Sequence, residues 1–180
     1  MNQILASVRG ALKKRPFLTN SIIYGSLYAG AEYSQQFLSK KIRPAFKENS
    51  DIDYTTVCRY AVMGTTMYAP SLILWYKWLD SYIPGTAPAV ITKKLILDQF
   101  VLSPYLIMLF FTGMSIMENS ENIFLDVQTK FISTFYKSCM FWLPAQSINF
   151  MFIMPKYRVL YMGICGFLWV NILCWAKRQK

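Results

Sequence analysis

Five apolar runs lie along the chain between clusters of charged residues. Each is 16 to 19 residues long, and they cover residues 16–31, 60–76, 99–117, 138–155 and 159–176. A helix needs about 20 mostly apolar residues to cross the hydrocarbon core of a bilayer. None of the runs shows the alternating pattern of a membrane β-strand, so each predicts a helix. The pattern predicts an all-α, polytopic membrane bundle of four or five transmembrane helices.

The number of spans depends on how three short stretches fold. The first run reaches full length only if Glu32 enters the membrane. Four residues starting at Pro155 separate the last two runs, which form either a helical hairpin or one kinked passage, and Pro144 kinks or interrupts the fourth run. Residues 122–131 predict an amphipathic connecting helix. Basic residues divide almost evenly between the two sides, so charge does not decide the orientation.

The first sixteen residues differ from the remainder of the chain. Ile4, Leu5, Val8 and Leu12 form an apolar stripe at helical spacing among four basic residues. This basic amphipathic segment, residues 1–16, is interpreted either as a mitochondrial targeting helix or as an interfacial anchor helix. Residues 17–180 are predicted to form a single transmembrane helical domain.

Composition supports a membrane protein and removes several classes of function. The chain is 54% hydrophobic and 17% aromatic, has a formal net charge of +10 and contains no histidine. The basic residues flank the apolar runs, where they suit anionic lipid headgroups better than nucleic acid. Without histidine the commonest general base and metal ligand is missing, and the four cysteines lack C-x-x-C spacing. No enzymatic activity, cofactor or metal site is predicted.

Polar side chains within or beside the apolar runs are the candidate functional residues. Seven are candidates for a pore or polar interior, and two arginines are their candidate charge partners: Glu32, Gln35, Gln36, Asp98, Gln99, Gln146 and Asn149, with Arg59 and Arg158. An amide or carboxylate in hydrocarbon is costly unless it is hydrogen-bonded. These groups therefore either face a hydrated path or join helices, and their residue types slightly favour the second role.

Other features of the sequence are explained by packing and by the membrane surface. Ser21, Gly25 and Ala29 form a ladder of small residues that allows two helix backbones to approach closely. Trp75 and Tyr76 end the second run beside a lysine, which is typical of an aromatic belt at the membrane interface. The ten methionines are interpreted as packing residues.

Several spaced motifs recur within and beside the apolar runs. The most specific is W-x-x-x-Q-x-x-N-F followed by P-x-x-R and a later tryptophan. The others are D-Q followed by a proline, P-x-x-x-x-W-Y-x-x-L-D, and an opening P-x-x-T. The matching residues here are Trp142, Gln146, Asn149, Phe150, Pro155, Arg158 and Trp169; Asp98, Gln99 and Pro104; Pro70, Trp75, Tyr76, Leu79 and Asp80; and Pro16 and Thr19. These motifs resemble those of the Mpv-seventeen and peroxisomal membrane protein family. The resemblance covers nearly the whole chain and is strongest to the Mpv-seventeen-like subgroup.

The chain departs from the family pattern at three places. Glu32 stands where the family has an aspartate, and Ile73 stands where many members have a histidine. Leu143 replaces the proline that follows the signature tryptophan, although Pro144 is kept. If that histidine titrates in relatives, this protein lacks the behaviour.

The resemblance implies a four-span organellar membrane protein, with the mitochondrial inner membrane favoured and the peroxisomal membrane as the alternative. It also implies channel activity and links to reactive oxygen species metabolism and mitochondrial DNA maintenance. One hypothesis is a weakly selective channel or carrier for small solutes. The alternative is a non-transporting membrane scaffold that affects redox homeostasis through protein partners. The expected partners are the lipid bilayer, a second copy of the chain and, for a channel, small solutes; direct nucleic-acid binding is not expected.

Overall fold

The computed structural model describes residues 14–42, 51–85, 87–152 and 155–178, which form helices and connecting turns and contain no strands. Five helices follow one another in this part of the chain: α1 Pro16–Ile42, α2 54–82, α3 Pro88–Met117, α4 Leu125–Phe152 and α5 Pro155–Arg178. The predicted all-α class is confirmed. Residues 1–13 lie outside the described residues, so the amphipathic helix in segment 1–16 stays a prediction.

The five helices pack as a ring in chain order. α1 contacts α2 and α5, α2 contacts α3, and α4 contacts α3 and α5. The centre of the ring is filled mainly by apolar and aromatic side chains, with almost complete burial of Tyr28, Tyr60, Met63, Phe110 and Phe111. Dense packing of this kind holds the helices in one arrangement.

The outer surface of the bundle is rich in apolar side chains. Every helix exposes large hydrophobic side chains, among them Ile22 on α1, Leu74 on α2, Phe100 on α3, Met140 on α4 and Leu168 on α5. By length and composition, one helix within the described ranges is long and apolar enough to cross a membrane, and it is α3. The expected four or five spans remain a prediction.

α1 and α2 approach closely because glycines lie at their contact. A Cβ atom at Gly64 would lie 2.7 Å from the carbonyl oxygen of Tyr24 and 3.1 Å from the Cα of Gly25. A Cβ atom at Gly25 would overlap the hydroxyl of Thr65. The two backbones can touch only where both residues lack a side chain. Gly25 of the small-residue ladder therefore lies at this contact.

α2 and α3 share an unusual internal feature. Residues Met63–Tyr68 of α2 and Asp98–Leu102 of α3 form π-helical turns, and each segment is followed two residues later by a proline, Pro70 or Pro104. Proline has no N–H to donate and its ring crowds the preceding turn. The helix accommodates it by widening locally to i→i+5 hydrogen bonds rather than by ending.

The last two apolar runs form a hairpin. α4 ends at Phe152 and α5 begins at Pro155, and the two helices pack against each other. The ring of Phe141 on α4 lies 5.6 Å from that of Trp169 on α5, measured between centroids. Pro144 lies inside α4, which continues past it.

The connecting helix predicted for residues 122–131 is confirmed in part: residues 122–124 lie in the turn, and residues 125–131 are the first turns of α4. α4 begins at Leu125 and runs without a break into the fourth apolar run. The apolar residues of the first turns of α4 continue at helical spacing into that run. No helix-stopping signal separates the two segments, so the helix does not end between them.

Candidate functional site

Asp98 joins α3 to α2. Nε1 of Trp75 donates a hydrogen bond to its Oδ1 over 2.7 Å, and the hydroxyl of Tyr76 donates to its Oδ2 over 3.0 Å. Both donors lie on α2, and the carboxylate is half-buried between the helices. Hydrogen bonds to an ionised acceptor are stronger than those between neutral groups. The aromatic residues interpreted as an interface belt are therefore also the donors that hold Asp98.

Gln99 reaches in the opposite direction, from α3 to α4. Its buried side-chain Nε2 lies 3.4 Å from Oγ of Ser138 and 3.2 Å from Sγ of Cys139, and it donates to both. Consecutive residues of α3 thus contact two different neighbouring helices. The D-Q motif connects α2, α3 and α4 across the bundle.

Glu32 is completely buried on α1, close to the start of α2. Nε2 of Gln36, one turn later, donates to Oε1 of Glu32 over 3.0 Å and to the carbonyl oxygen of Asp53 over 3.2 Å. The backbone N–H of Asp53 donates to Oε1 of Gln36 over 2.8 Å. Gln36 thus uses both ends of its amide to tie α1 to the residue that precedes α2.

Asp53 also caps the N-terminus of α2. Its Oδ1 accepts from the backbone N–H of Thr56 over 3.1 Å, and its Oδ2 accepts from the Thr56 hydroxyl over 2.6 Å. These hydrogen bonds, with a smaller contribution from the charge of Arg59, hold the pKa of Asp53 below its usual range. Arg59, a candidate charge partner near a pore mouth, therefore acts electrostatically on the cap of its own helix.

The structure brings the remaining candidates less close together. Gln35 is half-buried on α1. Gln146 is half-buried on α4, and its Oε1 is buried without a hydrogen-bond partner among the residues that the structure describes. Asn149 and Arg158 lie in α4 and α5, with side chains outside the described part. A pore-lining role for these residues stays a prediction.

The signature tryptophans meet between α4 and α5. The rings of Trp142 and Trp169 lie 6.1 Å apart and are steeply tilted, an edge-to-face arrangement that aromatic pairs favour. Nearer the start of α4, Nζ of Lys137 lies 4.5 Å from the ring centroid of Trp175, a cation–π contact. Aromatic contacts therefore hold the C-terminal hairpin together.

Two interhelical contacts involve residues outside the candidate set. Oγ of Ser34 on α1 donates to Oδ1 of Asn171 on α5 over 3.0 Å. The hydroxyl of Tyr68 on α2 donates to the carbonyl oxygen of Leu106 on α3 over 2.8 Å. An amide in an apolar run was a usable signal for Asn171. Nothing in the sequence distinguishes Tyr68 from the other eleven tyrosines.

Among the described residues, hydrogen bonds between side chains, or between a side chain and the backbone, thus occur at four helix contacts: α1–α2, α2–α3, α3–α4 and α1–α5. Within residues 14–42, 51–85, 87–152 and 155–178, no group of three or more histidine, cysteine, aspartate or glutamate residues could hold a metal ion. The bonded candidates are distributed around the ring, where they connect helices.

The chain also matches known proteins. Residues 115–174 match the Mpv17 / PMP22 family. The chain is 34% identical to an Mpv17-like protein of Xenopus laevis, over 93% of this chain and 79% of that protein. It belongs to the Mpv17 / PMP22 family. An Mpv17-like protein of Bos taurus is 30% identical, over 94% of this chain and 82% of its own length.

A third relative, peroxisomal membrane protein 2 of Bos taurus, is 28% identical over 90% of this chain and 83% of its own length. No solved structure matches the chain. The family indicated by the sequence motifs is therefore confirmed. The relatives of this Mpv17 / PMP22 family member include a peroxisomal membrane protein.

Proposed function

We propose that this Mpv17 / PMP22 family member is an integral membrane protein of an organelle, with four or five helices in the bilayer. Family membership and the apolar outer surface of all five helices support the proposal. The basic N-terminal segment supports a mitochondrial location, in the inner membrane, whereas the similarity to a peroxisomal membrane protein supports the alternative.

Localisation of the full chain, fused at its C-terminus to a fluorescent protein, tests this proposal. Resistance to alkaline extraction and co-localisation with a mitochondrial marker are expected. Removal of residues 1–13 is expected to disperse the protein if they target it. Release by alkaline extraction would contradict membrane integration.

We further propose that the bundle is a weakly selective channel or carrier for small solutes, closed in the arrangement described above. The observation that carries this proposal is the π-helical segment followed by proline in both α2 and α3. Asp98 lies at the start of the second segment. Interrupted helices beside polar groups are typical of transport proteins, because irregular backbone at membrane depth is tolerated where it is buried or lines a cavity.

In this proposal, the central side chains close the path. Tyr60, Met63, Phe110 and Phe111 are almost completely buried where a solute would have to pass. Conduction would therefore require these side chains to move apart. The buried Oε1 of Gln146 is an acceptor that water or a polar solute would satisfy. A solute path of this kind would connect the protein to reactive oxygen species metabolism and mitochondrial DNA maintenance through the composition of the organelle.

Conductance of the purified chain in planar bilayers tests the channel. Discrete currents are expected from the wild type. If Asp98 faces the path, Asp98→Asn shifts the reversal potential in a salt gradient. Trp75→Phe is the matched control, because it removes a hydrogen bond from the same α2–α3 contact and keeps the carboxylate. Equal shifts of the reversal potential in both variants would assign Asp98 a structural role only. The absence of current from correctly inserted protein would contradict the channel.

The filled centre favours a second candidate, a non-transporting scaffold that acts through protein partners. Its binding surface would include the exposed turn between α3 and α4, residues 118–124. Replacing this turn by a neutral linker of equal length should then change the redox state of the organelle, and Asp98→Asn should leave it unchanged. The opposite pattern would exclude the scaffold and support the channel.

A further inference from the structure

We propose that the α2–α3 contact contains a binding site for Cu(I), formed by methionine thioethers. Met63 and Met67 of α2 lie at this contact, and Met114 and Met117 of α3 belong to the same core cluster. The sequence alone gave no reason to treat them as more than packing residues. This site is independent of the channel proposal and would remain if the protein conducts nothing.

Gly113 is the feature that brings two of the sulfurs together. A Cβ atom at this position would lie 2.9 Å from Sδ of Met63 and 3.2 Å from Sδ of Met67. Both sulfurs therefore lie over the same backbone carbon of α3, in space that any larger residue would occupy. Because both lie beside one point, a small rotation of the flexible methionine side chains brings them to a single ion that forms metal–sulfur bonds of about 2.3 Å, the length found at zinc thiolates.

The other two methionines belong to the same part of α3. Met114 follows Gly113 directly, and Met117 lies one turn after it on the same face of the helix. Met63 and Met114 are completely buried, whereas Met67 and Met117 are half-buried and belong to the edge of the same cluster. The buried pair provides a dry site, and the half-buried pair provides access from outside.

The chemistry of the four donors selects the ion. Thioethers are neutral, polarisable ligands that favour Cu(I) over hard cations, which prefer carboxylate, carbonyl and water oxygens. A singly charged ion also suits uncharged donors in an apolar core better than a divalent ion does, because desolvation is less costly. Met63 and Met67 both lie in the π-helical segment Met63–Tyr68, whose widened turn sets the spacing of the two donors.

Packing alone does not require sulfur at these positions. Leucine has nearly the same volume as methionine and is usually exchanged with it at small cost. The proposal therefore predicts a difference that packing does not: replacement by leucine keeps the fold and removes the metal. Met108 and Met140 are exposed on the outer surface and serve as matched control positions.

The test is a titration of the purified full chain with Cu(I) under ascorbate and without oxygen, in competition with bicinchoninate. The wild type is expected to bind one Cu(I) per chain. Met63→Leu/Met67→Leu is expected to weaken binding by about tenfold or more, since loss of even an outer-shell partner weakens metal sites by that factor. Met108→Leu/Met140→Leu is expected to bind like the wild type.

A spectroscopic measurement separates methionine from the cysteines, which also bind Cu(I). The wild-type chain produced with selenomethionine should show copper–selenium scattering at the copper absorption edge. A spectrum with sulfur scattering only, wild-type affinity in Met63→Leu/Met67→Leu, or no Cu(I) binding by the wild type would each overturn the site. This measurement needs no variant, so it decides the proposal even if the double variant fails to fold.

Discussion

The indole of Trp75 donates a hydrogen bond to the carboxylate of Asp98 across the α2–α3 contact, with 2.7 Å between Nε1 and Oδ1. The two residues belong to separate sequence motifs, W-Y and D-Q, which the fold brings together. Tyr76 supplies the second donor, so each carboxylate oxygen accepts one hydrogen bond from α2. The two motifs therefore act as one structural unit.

Trp75→Phe should destabilise the protein by about 1–2 kcal/mol. An aromatic ring remains, but the hydrogen-bond donor to the half-buried carboxylate of Asp98 is lost. The free energy of unfolding in mixed detergent measures the effect. Trp78→Phe is the control, since Trp78 is exposed and makes ring contacts with Trp75 and Tyr82. Equal losses in both variants would mean that the hydrogen bond to Asp98 contributes nothing measurable.

Gly64→Ala should destabilise the protein by about 1–3 kcal/mol, the usual effect of forcing an extra methyl into a packed contact. The new Cβ would lie 2.7 Å from the carbonyl oxygen of Tyr24, a backbone atom that cannot turn away. Gly30→Ala is the matched control, because the nearest atom to its Cβ is Cε2 of Phe167 at 4.0 Å. There the higher helix propensity of alanine should stabilise the protein by about 0.5–1 kcal/mol. Thermal unfolding of both variants in one detergent tests the pair, and the opposite order would contradict the α1–α2 contact.

Thr134→Val should stabilise the protein by about 1 kcal/mol. The hydroxyl of Thr134 is completely buried and has no hydrogen-bond partner among the described residues, so its removal relieves an uncompensated polar group. Ser138→Ala, one turn later on α4, should have the opposite sign because Ser138 accepts a hydrogen bond from Gln99. Unfolding free energies of the two variants check the signs. Destabilisation by Thr134→Val would show that its hydroxyl binds a water molecule.

The cap of α2 should make stability depend on acidic pH through Asp53. Its pKa is lowered in the folded state, chiefly by the hydroxyl and backbone N–H of Thr56. The contribution to stability is therefore complete above the unfolded pKa of about 3.9 and is lost as the pH falls through the lowered folded value. Asn is also a good N-cap and does not titrate, so Asp53→Asn should flatten this acid dependence and keep the helix start. The free energy of unfolding of the wild type and of Asp53→Asn, measured as a function of pH, tests this prediction. An identical loss of stability at acidic pH in the two proteins would contradict the role of Asp53.

Much of the fold could be predicted because hydrophobic run length and helical spacing are local properties. The all-α class and the family were both correct. Gln99 and Gln36 donate hydrogen bonds between helices, but the identity of their partners was not predicted. The helix predicted over residues 122–131 begins only at Leu125 and is continuous with the fourth apolar run, since helical spacing alone does not show where one helix stops and the next begins.

The pattern along the chain was thus sufficient to predict the helical class, the approximate positions of the apolar runs and the family, because these depend on residues near one another in the sequence. Tertiary packing decided the hydrogen-bond partners: Trp75 and Asp98 are 23 positions apart, and Ser34 and Asn171 are 137 apart. It also placed the sulfurs of Met63 and Met67 over Gly113. Such pairings depend on the register and the distance at which two helices pack. Glycine contacts and buried aromatic side chains set this register and distance only when all five helices are assembled.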